Sequence, residues 1–254
     1  MKQISLLVMV VFSASLSAQI ASLVPTRGAD TQMMNKNSTT NRVETDRQTI
    51  GYPVASLIPF QQKGKYGFKD QNGSIAIPIV YNNVCFFAEE CRILNSPNES
   101  IRKFGSSDYA SVQLGNNQYR IDKDGNKVYT FKDDDLGKCI SNYQKQHYLA
   151  YIVNGKYGLI EYDKYTEDEH QQEFKIQPEY DMIHVLEGND LENPMLIAGK
   201  GNKFGIIDIN NNIIVPFDYA DIKRNYSWKL ASLFEVSKDG HRFYYIDNQN
   251  KVYK

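Results

Sequence analysis

The chain has 254 residues, 29 of them basic and 30 acidic, with 41% hydrophobic. A balance this close to neutral, with no basic stripe and no acidic tail, lacks the electrostatic footprint of a nucleic-acid binder and gives anionic lipid nothing to hold. The 18 tyrosines and 12 phenylalanines favour β-strands, which are built from aromatic and β-branched side chains.

Residues 1–18 read as a secretory signal peptide. Lys2 supplies the positive start, the run from Ile4 to Phe12 is apolar, and Ser13 to Ala18 are mostly small. Cleavage is expected after Ala18, with Ser17 as the neighbouring alternative because it puts Ser15 three places back. The apolar run is shorter than the roughly 20 residues that span a bilayer, so no stable membrane insertion is expected once the signal is removed. Residues 19–50 are polar, around Asn35-Lys36-Asn37-Ser38-Thr39-Thr40, and read as a flexible spacer. They hold too little apolar surface to offset the entropy of ordering. Residues 51–254 remain for a folded body.

The body repeats. Lys65-Tyr66-Gly67 with Asp70 returns as Lys156-Tyr157-Gly158 with Glu161 and as Lys203-Phe204-Gly205 with Asp208. Each copy leads to a second signature, Pro78 with Tyr81, Pro178 with Tyr180, or Pro216 with Tyr219. Asn154-Gly155, Lys63-Gly64, Gly201-Asn202 and Asp239-Gly240 supply hairpin turns. A second turn follows the fixed acid, as in Asp70-Gln71-Asn72-Gly73, and a short strand then runs into proline, which cannot donate to a central ladder. The third unit carries an inserted loop at 163–173 instead. The Tyr-x-x-Val/Ile step after proline (Tyr81 with Val84, Tyr180 with Ile183, Tyr219 with Ile222) is expected to tuck against the next unit. Tyr119-Arg120-Ile121-Asp122 and Tyr244-Tyr245-Ile246-Asp247 are worn copies with tyrosine in the glycine place. Five units follow, near 56–91, 109–131, 148–186, 195–222 and 233–254. Each is a three-stranded meander too small to stand alone. The expected fold is all-β, with tandem hairpin repeats in an elongated, curved domain; a closed, propeller-like arrangement is the alternative.

These residues resemble the WG-repeat (KWG-repeat) family of exported bacterial proteins. Gly64-Lys65-Tyr66-Gly67-Phe68 and Asn202-Lys203-Phe204-Gly205-Ile206-Ile207-Asp208 carry the resemblance, and Phe86-Phe87-Ala88-Glu89-Glu90 looks like the family's Phe-x-Glu-Gly segment. Tyr66, Tyr157 and Phe204 replace the name-giving tryptophan, and the single Trp228 lies between units. The resemblance implies a β-rich repeat scaffold and carries over no catalytic residue.

Chemistry is sparse. His147, His170, His184 and His241 are scattered, with no metal-ligand spacing. The turn at 208–212 starts like a calcium loop but has Ile213 where glycine belongs. No activated-nucleophile or zinc-protease motif occurs. No catalytic residue, metal or cofactor is therefore expected. Cys85, Cys91 and Cys139 make an odd count; an oxidising compartment permits a Cys85–Cys91 bridge, and three buried thiols are the alternative. Tyr143, Tyr148, Tyr151, Tyr226 and Trp228 are the aromatics a glycan could stack on, unless they serve the core. The expected function is an exported, periplasmic or extracellular, non-catalytic binding or scaffold module for another envelope or extracellular protein. A carbohydrate- or cell-wall-binding module is the alternative, and a hydrolase with an unrecognised site comes third.

Overall fold

The computed structural model describes residues 53–139, 145–167 and 172–254. The expected signal peptide and the whole of the expected spacer, together with Tyr143 and His170, lie outside these residues. The described chain is all-β apart from short helical turns. It forms five antiparallel sheets, each in chain order, and none closes into a barrel.

The first sheet is β1 (Leu57–Gln62), β2 (Lys65–Asp70) and β3 (Ile75–Tyr81). The second is β4 (Asn83–Phe87), β5 (Ala110–Leu114), β6 (Asn117–Ile121) and β7 (Lys127–Thr130). Between β4 and β5 lie two one-turn helices, α1 (Cys91–Leu94) and α2 (Glu99–Arg102). The third sheet is β8 (Tyr148–Val153), β9 (Lys156–Glu161) and β10 (Ile176–Tyr180). The fourth is β11 (Met182–Val185), β12 (Leu196–Lys200), β13 (Lys203–Ile207) and β14 (Ile213–Tyr219). The fifth is β15 (Asp221–Ile222), β16 (Phe234–Ser237), β17 (Tyr244–Ile246) and β18 (Val252–Tyr253), with α3 (Ser227–Ala231) between β15 and β16.

Three of the five sheets therefore have four strands rather than three. Val84, Ile183 and Ile222 do more than pack against the next unit; they lie in its first strand. One residue (Asn82, Asp181 or Ala220) separates the end of one sheet from the start of the next. A period-2 pattern shows that a strand exists but not which sheet it joins, so the bend at Tyr81, Tyr180 and Tyr219 is invisible in sequence.

Each signature residue has a local task. Asn154 and Gly155 sit at φ 50° and 77°, the paired positive values that a tight hairpin turn needs. The fixed acid holds the second turn. Asp70 Oδ1 accepts from the N–H of Asn72 and Ser74, Asp208 Oδ1 from Asn210 and Asn212, and Asp247 Oδ1 from Gln249 and Lys251, all at 2.8–2.9 Å. Glu161 opens the inserted loop instead and pairs with Lys164 at 3.3 Å. The repeat glycine lies beneath the proline strand. A Cβ on Gly67 would stand 2.6 Å from Ile77 O, one on Gly158 2.5 Å from Ile176 O, and one on Gly205 2.7 Å from Val215 O. The ladders shift register at this crossing. The tyrosines then latch neighbouring units. Tyr180 donates to Asn211 Oδ1 and Tyr219 to Asn250 Oδ1, each at 2.6 Å.

Apolar clusters join the sheets in pairs. Phe68 and Ile77 pack with Ala110, Val112 and Ile121 between the first and second sheets. Leu159 and Tyr180 meet Leu196 and Ile207 between the third and fourth. Ile206, Val215 and Tyr219 meet Phe234, Val236 and Ile246 between the fourth and fifth. A further cluster joins Ile58 of the first sheet to Ala231 and Leu233 beside the fifth. The spatial order is thus third, fourth, fifth, first, second, and the first and last units of the row are neighbours.

The cysteine pairing differs from the expected Cys85–Cys91 bridge. Cys91, at the start of α1, is bonded to Cys139 with 5.4 Å between their Cα atoms, and Cys85 is a free, partly buried thiol in β4. The reason is that residues 131–139 fold back onto the helical insertion. Gly137 N donates to Arg92 O at 2.8 Å, and Asn95 Nδ2 donates to Lys138 O at 3.1 Å. Proximity in sequence is no guide where a distant segment returns so closely.

Candidate functional site

The signature residues do not converge on a site. Gly67, Gly158, Gly205, Tyr180 and Tyr219 are buried, whereas Lys65, Lys156, Lys203, Pro78 and Pro216 face outward on separate units. Lys156 pairs with Asp181, whose other oxygen accepts from Gly201 N at 2.6 Å. These are contacts that hold the repeats together.

Among the described residues, a concave feature lies where the first and fifth units meet. It is a cavity of about 340 Å³ walled by Ile58, Pro59, Phe60 and Val252 and floored by the Asp70–Gly73 turn. Both elements are fixed from several directions. Ala55 N donates to Ala231 O at 3.1 Å, and Gln71 Nε2 reaches Val54 O at 2.8 Å. Lys69 Nζ donates to Lys254 O at 3.0 Å and sits 3.6 Å from the centroid of the Phe60 ring. Tyr253 donates to Asp247 Oδ2 at 3.0 Å; burial, and then the Asp247 carboxylate, push its phenol up to about 12. The site is therefore apolar on one wall, and of its two lysines Lys69 sits over the Phe60 ring and Lys254 Nζ 4.5 Å from the centroid of the Tyr244 ring. Its one carboxylate, Asp70, is occupied by its own turn.

Val252 in its wall has exposed equivalents in two other units. Ile75, Ile213 and Val252 each stand five residues after the fixed acid of their unit and are 57%, 62% and 45% exposed. They belong to the first, fourth and fifth units, which adjoin in the order fourth, fifth, first. The second unit has Lys127 at this place.

The other features proposed from sequence are spread elsewhere. Trp228 is 8% exposed and stacks on Phe234 with centroids 4.6 Å apart. Tyr148, Tyr151 and Tyr226 are partly buried. His147 shares a cleft of about 90 Å³ with Tyr148, Glu161 and Asp163, where Lys164 and Lys145 pair with the two carboxylates. Burial lowers the pKa of His184, helped by nearby Arg224. No group of three or more His, Cys, Asp or Glu among the described residues could hold a metal ion, and no helix among them is long and apolar enough to cross a membrane.

Sequence reasoning missed Arg120, which is 2% exposed. Its guanidinium donates to the carbonyls of Ala88, Phe104 and Ser106 at 2.8–2.9 Å and to Ser111 Oγ at 3.1 Å. Burial lowers its pKa to about 10, against the opposing pull of Glu90. It ties the helical insertion to the second sheet. The sequence held one signal, a lone arginine on the inward side of a worn repeat.

Compared with known proteins, the chain matches no family model, no curated protein and no solved structure.

Proposed function

We propose that this chain is an exported, non-catalytic binding or scaffold module that contacts another envelope or extracellular protein, built as a WG-like repeat. The observation that carries the reading is the recurrence of an exposed branched side chain, Ile75, Ile213 and Val252, at one repeat position in three adjoining units. A single exposed apolar residue needs no explanation, whereas exposure recurring at one place in successive units favours a protein contact. Polar Ser74, Asn212 and Lys251 precede the three residues. The Cys91–Cys139 bond favours an oxidising compartment, in keeping with export.

Two comparisons weigh against the other classes. Trp228 is taken up by the core, and Tyr148, Tyr151 and Tyr226 are partly covered, so none of these aromatics offers a glycan a fully exposed face. A glycosidase pair needs two carboxylates about 5–10 Å apart facing a substrate; the cavity between the first and fifth units offers only Asp70, and Glu161 and Asp163 of the smaller cleft are each paired with a lysine.

The test uses the chain from Gln19 onward in its own host, with a photo-crosslinker in place of Ile75 or of Ile213. Tyr165 in the third unit, 52% exposed, serves as the control position. One dominant protein adduct from both positions and none from the control is the expected result. Equal adducts at all three positions, or recovery of cell-wall glycan alone, would overturn the reading.

A further inference from the structure

Within the row of units, the rear of one sheet meets the front of the next. At the rear, the residue after the repeat glycine, Phe68, Leu159 or Ile206, is fully buried against the following unit. At the front of the second, fourth and fifth units, the residue paired across from the glycine place, Val112, Ala198 or Val236, helps to receive it. No apolar cluster of described residues joins the second unit to the third. The row therefore ends on the rear of the second unit and on the front of the third.

Both of these faces are covered from within the chain. In the second unit, Arg120 holds the place of Phe68, Leu159 and Ile206. Its guanidinium is taken up by Ala88, Phe104, Ser106 and Ser111. Beside it, Tyr129 stacks on Phe104 and packs with Ile93 and Ile101. The helical insertion thus lies where a further unit would, and the Cys91–Cys139 bond fastens it. In the third unit, Tyr151 holds the place of Val112, Ala198 and Val236, opposite Gly158. Tyr165 and Phe174 of the inserted loop meet its ring with centroids 6.1 and 5.9 Å away. A Cβ on Gly158 would stand 2.9 Å from the Phe174 ring. Gln172, 8% exposed, ties both arms of the loop. Its Nε2 donates to Lys164 O at 3.3 Å and Glu173 O at 3.0 Å, and its Oε1 accepts from Thr166 N at 3.0 Å. Outward, both coverings are polar: Arg92, Glu99, Arg102 and Lys103 are exposed on one, and Asp163, Lys164 and Glu173 on the other.

We infer that the two insertions are end caps, and that what they shut out is a second copy of this chain. Rear and front fit one another at the joints within the row, so two bare ends would stack head to tail. Such a contact does not close on itself and grows into filaments. Repeat arrays avoid this with terminal units whose outer face is polar. Here the end units are unexceptional in their strands, and the insertions supply that face. Arg120 marks the difference: it suits backbone carbonyls and would be a poor match for the apolar front of another unit. The inference does not rest on the partner contact proposed above, because Ile75, Ile213 and Val252 lie on the other three units.

The test opens each end in a separate variant and follows mass by sedimentation. In one, residues 186–195, the connection of the fourth unit, replace 88–109, with Arg120→Ile and Cys139→Ser. In the other, residues 209–213, the turn of the fourth unit, replace 162–174, with Tyr151→Ala. Each should stay monomeric alone, and the mixture should form a 1:1 complex with a Kd of about 1–10 µM. A chain carrying both sets of changes should form oligomers that lengthen with concentration, while the parent stays monomeric to about 100 µM. A second pair keeps the chain length and decides the matter if a graft fails to fold: Arg120→Ile with Cys139→Ser, and Tyr165→Ser with Phe174→Ser. Its mixture should sediment faster than either member. Monomers in the mixture of a folded pair, association of one variant alone as strong as in the mixture, or a parent that itself forms chains would overturn the inference.

Discussion

Replacing Cys139 with serine tests the least expected covalent feature of the fold. The Cys91–Cys139 bond spans 48 residues and encloses β5, β6 and β7, three of the four strands of the second sheet. A cross-link of that span removes about 14 cal/mol/K of chain entropy from the unfolded state, or about 4 kcal/mol at 25 °C. For a urea m-value of about 2 kcal/mol/M, the unfolding midpoint should fall by about 2 M. The assay is urea unfolding of the parent, Cys139→Ser and Cys91→Ser, each with and without reductant. Both variants should match the reduced parent and be insensitive to reductant themselves. Cys85→Ser should retain the full response, because Cys85 is outside the bond, and its thiol pKa is raised mainly by burial. A loss under about 1 kcal/mol in both variants, or peptide mapping that finds Cys85 in the bridge, would refute the pairing and its loop arithmetic.

Gly205→Ala should cost about 1–3 kcal/mol by overpacking, since its Cβ would press on Val215 O at 2.7 Å and on the Phe217 ring; an unchanged melting curve would show that the crossing strand yields freely. Tyr219→Phe should lose about 1 kcal/mol with the hydrogen bond to Asn250, and Asn250→Ala should add little to it in a double-mutant cycle. In Arg120→Met, buried carbonyls of Ala88, Phe104 and Ser106 lose their donor, so a loss of about 3 kcal/mol and faster amide exchange in 88–106 are expected. The Asp239 carboxyl is held down to about 2 by the N–H groups of Arg242 and His241 and the Ser237 hydroxyl. Its support of the 237–242 turn is therefore complete above about pH 4 and lost as pH falls through 2; the His241 amide shift should titrate there, and Asp239→Asn should abolish the step.

The sequence made the units legible and their assembly illegible, for physical reasons. The acid at Asp70, Asp208 and Asp247 works within its own turn, and so its spacing is fixed by local backbone geometry. The glycine at 67, 158 and 205 meets the strand that follows, again within one unit. Features spanning units leave no such trace. The Tyr219–Asn250 latch joins residues in different repeats, and the cavity joins the two ends of the described chain. Asn211 and Asn250 read as ordinary turn residues, since asparagine suits the left-handed positions they occupy at φ 65° and 61°. Their second role, accepting a tyrosine hydroxyl, appears only when the units are set side by side. Cys139 was misjudged for the same reason: the contact that brings it to Cys91 is made by a segment returning from beyond the second sheet.

The placement of the cavity follows from the repeat itself. Inside the row, each unit's last strand bends into the next sheet, and its tyrosine or its apolar residue meets the neighbour's turn, so the third–fourth, fourth–fifth and first–second joints are filled by the chain. The joint between the fifth and first units is different, because no strand passes directly from one to the other there. It is held by Ile58, Ala231 and Leu233 and by the edge-on contact of Phe86 with Tyr245 at 5.5 Å, which leaves the cavity open beside them.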